Sequence, residues 1–247
     1  MRFFQKDPRR YARVITGIIF VLFIIKGFLW LKGYQSPQLF GEAFQRVNTI
    51  HKVVALTFDD GPNPPYTDQI LRVLKKHHGH ATFFVLGKNV EKFPAVIPKI
   101  FSEGHEIGNH SWSHEQLIFR SLSFVRGEIE KTDHLLRQLG YPGEIYFRAP
   151  YGRKLFILPW ILSSMNKKHV LFDVVPDDWD RPGTEEIAAR ILREVKPGSI
   201  VLCHDGDGDG VGNDRSQTVE AIDKVMTQLE KDGYRFVTIS ELLALER

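Results

Sequence analysis

Two carboxylates, three histidines and an arginine stand just after apolar runs in this chain, in places where packing does not call for them. The segments read Thr57-Phe58-Asp59-Asp60-Gly61-Pro62, His110-Ser111-Trp112-Ser113-His114, Arg148-Ala149-Pro150-Tyr151-Gly152, Asp178-Trp179 and Leu202-Cys203-His204. His110 and His114 are four apart. On a helical turn that spacing puts both imidazoles on one face, within reach of a single metal ion. A carboxylate completes a facial His-His-carboxylate set, and either Asp59 or Asp60 supplies it. The zincin motif is absent, because Ser111 rather than glutamate follows His110. Each segment alone has an ordinary explanation, as a turn aspartate or a pair of surface histidines. The five in order point instead to metal-assisted hydrolysis, with a carboxylate base and a histidine of near-neutral pKa as acid.

The residues around these groups refine that reading. Pro150-Tyr151-Gly152 forces an abrupt turn after Arg148, which can aim a backbone N–H into the site. Leu202 and His204 are two apart on a strand and face the same side, whereas Cys203 faces the core behind them. The run from Asp205 to Gly210 matches the first half of an EF-hand loop. Its twelfth position is Ser216 rather than the bidentate glutamate, so a flexible rim loop is expected. His51, His77, His78, His80, His105, His134 and His169 show no ligand spacing and are expected at the surface or in caps.

Strands are expected over Val53–Phe58, Ala81–Val85, His105–Gly108, Ile145–Phe147, Val170–Val174, Ser199–Leu202 and Phe236–Thr238. Helical patterns lie between them, over Thr67–His77, Pro94–Ser102, Phe124–Leu139, Leu155–Met165, Glu185–Val195 and Gln217–Lys231, and Ser240–Leu245 ends the series. Glycines 79, 104, 140, 198 and 233 punctuate the helix ends. Strands alternating with helices argue a parallel sheet with crossover helices. Residues gathered from five strand ends favour a barrel over an open sheet, which concentrates its ligands at a switch point. The stretch is shorter than the ~250 residues of a complete eightfold barrel. The expected fold is therefore α/β, a deformed, incompletely closed (β/α)7 barrel.

Taken in order, the five segments resemble the motifs of the polysaccharide deacetylases, the NodB-homology domains of carbohydrate esterase family 4. The resemblance covers about Val53 to Ile239. It implies a divalent metal, usually zinc, on Asp60, His110 and His114. It also implies Asp59 as general base oriented by Arg148, and His204 as general acid tuned by Asp178. The Tyr151 N–H would help hold the oxyanion, and Trp179 and Leu202 would line an acetyl pocket. One departure is visible: family members often carry an aspartate three residues before the Asp-Trp pair, where this chain has Val175. The implied activity is removal of N-acetyl groups from an acetylated polysaccharide: peptidoglycan, chitin-type or exopolysaccharide. A non-catalytic glycan-binding barrel and an O-acetyl esterase are the competing readings.

Hydrophobic residues make up 43% and charged residues 26% of the 247, ordinary for a globular protein. The net charge of +3 is concentrated in Arg2, Lys6, Arg9, Arg10, Arg13, Lys26 and Lys32, leaving the remainder acidic and without a signal for nucleic acid. Five of those cations precede the apolar stretch Val14–Leu31, about 27 Å long as a helix against a ~30 Å hydrocarbon core. A single-pass anchor follows, with its N-terminus in the cytoplasm and the catalytic domain outside. Lys26 can snorkel, and Trp30 and Tyr34 suit the interface. A cleaved signal peptide is the alternative, but no small-residue cleavage site follows Leu31. The single Cys203 excludes an internal disulfide. The expected organisation is a basic tail over 1–13, an anchor over 14–31, a linker over 32–52, a monomeric deacetylase domain over 53–240 and a helix end over 241–247.

Overall fold

Val53–Asp59, apolar except for Thr57 and Asp59, forms a strand buried at every position, as a strand covered on both faces must be. The computed structural model describes residues 8–31, 41, 43–154, 157–208 and 213–245. In chain order the first elements are α1 (Pro8–Leu31), β1 (Ala43–Phe44), β2 (Val53–Asp59), α2 (Tyr66–Lys76), β3 (Ala81–Val85), α3 (Gly87–Lys92), α4 (Val96–Ser102) and β4 (Glu106–Asn109). They are followed by α5 (Leu122–Gln138), α6 (Ile157–Ser164), β5 (His169–Val170), α7 (Thr184–Glu194), β6 (Ser199–His204), α8 (Ser216–Lys231), β7 (Arg235–Phe236) and α9 (Ile239–Leu243).

The strands pair in parallel in the order β4-β3-β2-β6, with β7 beside the start of β2. Single parallel bridges at Asn109–Phe147, Phe147–His169 and Val174–Val201 carry the ring on from β4 to β6. The fourth expected strand is thus one bridge at Phe147, and the fifth and seventh are two-residue strands. The parallel α/β sheet expected from the alternation of elements is thus present, and the single bridges carry it round into a deformed ring.

The pleat sorts side chains into two layers. Val54, Leu56 and Phe58 of β2, with Val201 and Cys203 of β6, meet the helices in one core. The alternate residues Val53, Ala55, Ile200 and Leu202 join Phe84, Val170 and Phe172 inside the ring. Helix α8 closes the outer core with Val219, Ile222, Val225, Met226 and Leu229, spaced along one face. Truncating one such buried Leu or Phe to Ala costs ~2–5 kcal/mol. Register then places Asp59 level with His204, both at the open end of the ring.

Several expectations need correction. β1 pairs with β5, Val47 is fully buried, and its N–H donates to Gly198 O. The packed unit therefore begins before Val53, and residues 43–52 are not a free linker. His105 and His169 are buried rather than superficial, whereas His77, though buried, caps the C-terminus of α2 as expected. Burial, with His80 adding to it, pulls His105 down to about 4. Burial, with Lys154 and Arg148 nearby, pulls His169 down to about 3.

The transmembrane reading of 14–31 gains no support: among the described residues no helix is long and apolar enough to cross a membrane. Residues 1–7 of the basic tail, 32–40 and 42 of the linker, and 246–247 lie outside the described residues. So do 155–156 of the helix expected over Leu155–Met165, and 209–212, which include the end of the acidic loop.

Candidate active site

Asp59 and Asp60 end and follow β2, so on a continuing strand their side chains would diverge. The strand stops at Asp59, and Asp60 takes a left-handed φ of 74°. Both then line one cavity of about 530 Å3 at the open end of the ring. His110 and His114 line it too, but not from a helical turn as the spacing suggested. They belong to an irregular loop after β4, in which Ser111 and His114 have left-handed φ of 76° and 64°. That loop brings His110 Nε2 to 3.5 Å and His114 Nε2 to 3.3 Å from Asp60 Oδ1.

The three ligand atoms lie within 4.8 Å of one another, and all three residues are buried. Asp60 Oδ1 is buried with no hydrogen-bond partner, an arrangement that costs free energy unless a cation completes it. Burial alone would raise the Asp60 carboxyl, but His114 and His110 outweigh it and hold it below the usual range. His110 Nδ1 is 2.9 Å from Arg148 O, which fixes the ring with Nε2 towards the cavity. This donor set and its orphaned oxygen fit a divalent cation.

Arg148 is fully buried and its donors are used. Nη1 donates to Asp59 Oδ1 at 2.8 Å and to Thr57 Oγ1 at 2.7 Å. Nε and Nη2 donate to Val170 O and Leu171 O. The guanidinium therefore locks one oxygen of Asp59, while Oδ2 lies 3.6 Å from His110 Nε2. On the other wall, His204 Nδ1 is 2.8 Å from Asp178 Oδ1, and Asp178 Oδ2 accepts from His204 N and Thr218 Oγ1. Burial disfavours the imidazolium, but Asp178 first, then Asp60 and Asp59, push His204 up to about 9. Trp179 meets the His204 ring edge-on at 5.4 Å. Tyr151, at φ 59° and ψ 13°, packs its ring 4.6 Å from that of His114. Leu202 is buried in the cavity floor.

The model of polysaccharide deacetylases matches residues 46–169. A peptidoglycan-N-acetylglucosamine deacetylase of Bacillus cereus is 39% identical over 204 residues, covering 78% of this chain and 88% of its own length. The chain belongs to the polysaccharide deacetylase family. A chitooligosaccharide deacetylase of Sinorhizobium fredii is 35% identical, covering 73% of this chain and 87% of its own length. The structure of the Bc1960 peptidoglycan N-acetylglucosamine deacetylase superposes with a TM-score of 0.77 at 36% identity, covering 84% of this chain and 96% of that one.

This deacetylase also places residues at the cavity that sequence reasoning missed. Phe172 lies in the floor beside Val175. Phe172 is two residues from Val170, so strand alternation gave a signal for it. Asp207 and Gly208 reach the cavity from the acidic loop expected at the rim, and Arg215 from beyond it, with no signal of its own. Arg215 is buried and donates through Nε to Gly206 O. The acidic loop is pinned where it is described: Gly206 N donates to Asp59 O and Thr67 Oγ1 donates to Asp205 Oδ2. Burial, reinforced by Asp60, lifts the Asp205 carboxyl to about 7.

Proposed function

We propose that this deacetylase hydrolyses N-acetyl groups of peptidoglycan amino sugars, with one divalent metal, zinc, on Asp60, His110 and His114. The observation that carries it is the convergence of these three residues beside Asp59, with His204 level with Asp59 across β2 and β6. The name of the Bacillus cereus relative supports peptidoglycan as substrate. A bound divalent cation supplies Lewis acidity, polarising a carbonyl and acidifying water.

The chain's own residues do the rest. Asp59, with one oxygen held by Arg148, takes the proton of the attacking water on its other oxygen. The Tyr151 N–H donates to the developing oxyanion, an interaction of ~3–4 kcal/mol in comparable sites. His204, cationic through Asp178, gives its proton to the leaving amine. Leu202, Trp179 and Phe172 enclose the acetyl methyl and exclude water from it.

Acetate release from peptidoglycan, chitooligosaccharides and acetylated xylan, with and without chelator, tests this reading. Release from peptidoglycan that chelator abolishes and Zn2+ restores is expected. Release from chitooligosaccharides alone would reassign the substrate in the direction of the Sinorhizobium relative. Release from xylan alone would make the protein an O-acetyl esterase, and none from any would make it a binding barrel.

The same proposal places the domain outside the cytoplasmic membrane, tethered through α1. Ile15, Ile18, Phe20 and Phe23 are among its exposed apolar side chains, and the basic residues before its apolar stretch would orient the chain. Recovery of the full chain in the soluble fraction without detergent would overturn the tether.

A further inference from the structure

The loop that carries His110 and His114 is held in an unfavourable backbone shape, and one buried side chain outside it supplies much of the restraint. Ser111 and His114 are non-glycine residues at φ 76° and 64°, a region such residues leave unless their surroundings enforce it. Within the loop, Asn109 Oδ1 accepts from Ser111 N at 2.7 Å, and Ser111 Oγ accepts from His114 N at 3.1 Å. The two residues between, Trp112 and Ser113, turn their N–H groups away from the metal ligands towards α5.

There Glu128 meets them. A single carboxylate oxygen, Oε2, accepts from Trp112 N at 3.1 Å, Ser113 N at 2.8 Å and Ser113 Oγ at 2.9 Å. Glu128 is only 8% exposed. Its helix is itself tied to the barrel, because Asn109 Nδ2 donates to Ile129 O and to Asp133 Oδ1. Lys131, on the same helix, lies 3.2 Å from the centroid of the Trp112 ring. Helix α5 thus grips Trp112 by its backbone and by its ring, midway between the two histidines.

We infer that Glu128 is a positioning residue for the metal site: it presets the 110–114 loop so that His110 and His114 converge on Asp60. The inference rests on the metal reading above. An anion accepting three hydrogen bonds is a strong and directional anchor. Groups that act on metal ligands from behind typically cost ~10–100-fold in metal affinity when removed. A glutamate that only stabilised α5 would change the unfolding midpoint and leave the affinity of the folded protein unchanged.

Zn2+ affinity of the full chain, measured by chelator competition with unfolding followed in parallel, separates these roles. Glu128→Ala should bind Zn2+ ~10–100-fold more weakly than the parent while folded, and its Co2+ absorption spectrum should differ from the parent's. Glu128→Gln, which keeps an acceptor oxygen at the same reach, should recover part of the affinity. Parental affinity and an unchanged Co2+ spectrum in folded Glu128→Ala would overturn the inference. If Glu128→Ala does not fold, Glu128→Asp decides, because it keeps the charge and shortens the arm by one methylene. Parental Zn2+ affinity in that variant overturns the inference, and weakened affinity supports it. A folded parent that binds no Zn2+ overturns the metal reading itself, and this inference with it.

Discussion

Asp178 holds His204 at two points, its ring Nδ1 at 2.8 Å through Oδ1 and its backbone N at 2.9 Å through Oδ2. The carboxylate is 1% exposed. It therefore fixes both the rotation of the imidazole and the place of its strand end, and it stabilises the charged ring in the same contact.

The pH dependence of turnover follows from that contact. With His204 raised to about 9, mainly through Asp178 acting against burial, its protonated ring is present below about 9 and lost above it. The alkaline limb of kcat should fall there, drawn to lower pH by the charge of a metal on Asp60. Asp178→Asn should move the limb further towards neutrality, and a pH–rate profile of the two proteins checks this. Stability follows the same sign. A pKa raised in the folded state contributes fully below the ordinary value of 6.5 and is lost as pH rises through about 9. The melting temperature of the parent should therefore decline over that alkaline window more than that of Asp178→Asn.

Asp59 and His204 should divide the proton transfers between them. Asp59→Asn should retain metal and lose deacetylation, because an amide cannot accept the proton of water. His204→Ala should retain metal and fail at amine departure. An aryl acetate needs little leaving-group protonation, so it should restore far more activity in His204→Ala than in Asp59→Asn. Equal losses on both substrates, measured as kcat/KM, would end this division of labour.

Breaking the Arg148–Asp59 pair should cost stability as well as activity. Both groups are buried, so Arg148→Met leaves a carboxylate without its cation, a loss of ~3–5 kcal/mol. The double variant Asp59→Asn/Arg148→Met should regain part of it. Denaturant unfolding of the parent, Asp59→Asn, Arg148→Met and the double variant measures the coupling.

Gly208 approaches the metal site so closely that a Cβ there would overlap the His114 imidazole. Gly208→Ala should displace that ligand and weaken Zn2+ binding, with little change in the unfolding midpoint because the residue lies in a loop. Zn2+ titration of the variant against the parent checks it. Parental affinity would mean that the loop yields instead of the ring.

The residues that gather at the cavity, Asp59, Asp60, His110, His114 and His204, were legible in the sequence because their segments follow apolar runs. A residue leaving a strand at the open end of a parallel ring has little choice about which cavity it meets. Leu202 and His204 were legible through strand alternation, and Cys203 through the same rule applied to the other face. The backbone conformations were not legible. The spacing of His110 and His114 suited a helix, yet two left-handed residues and a distant glutamate shape the loop, and neither leaves a local signature. Likewise nothing local says that Asp60 turns back beside Asp59, since that depends on a left-handed φ imposed by the surrounding loops. The burial of Val47, His105 and His169 also came from partners far along the chain. Local sequence chose the polar groups that gather at the cavity and the alternation of elements, because these depend on residue type and period. Only the tertiary structure decided how the groups are aimed, because aim is set by hydrogen bonds and contacts between residues that sequence holds far apart.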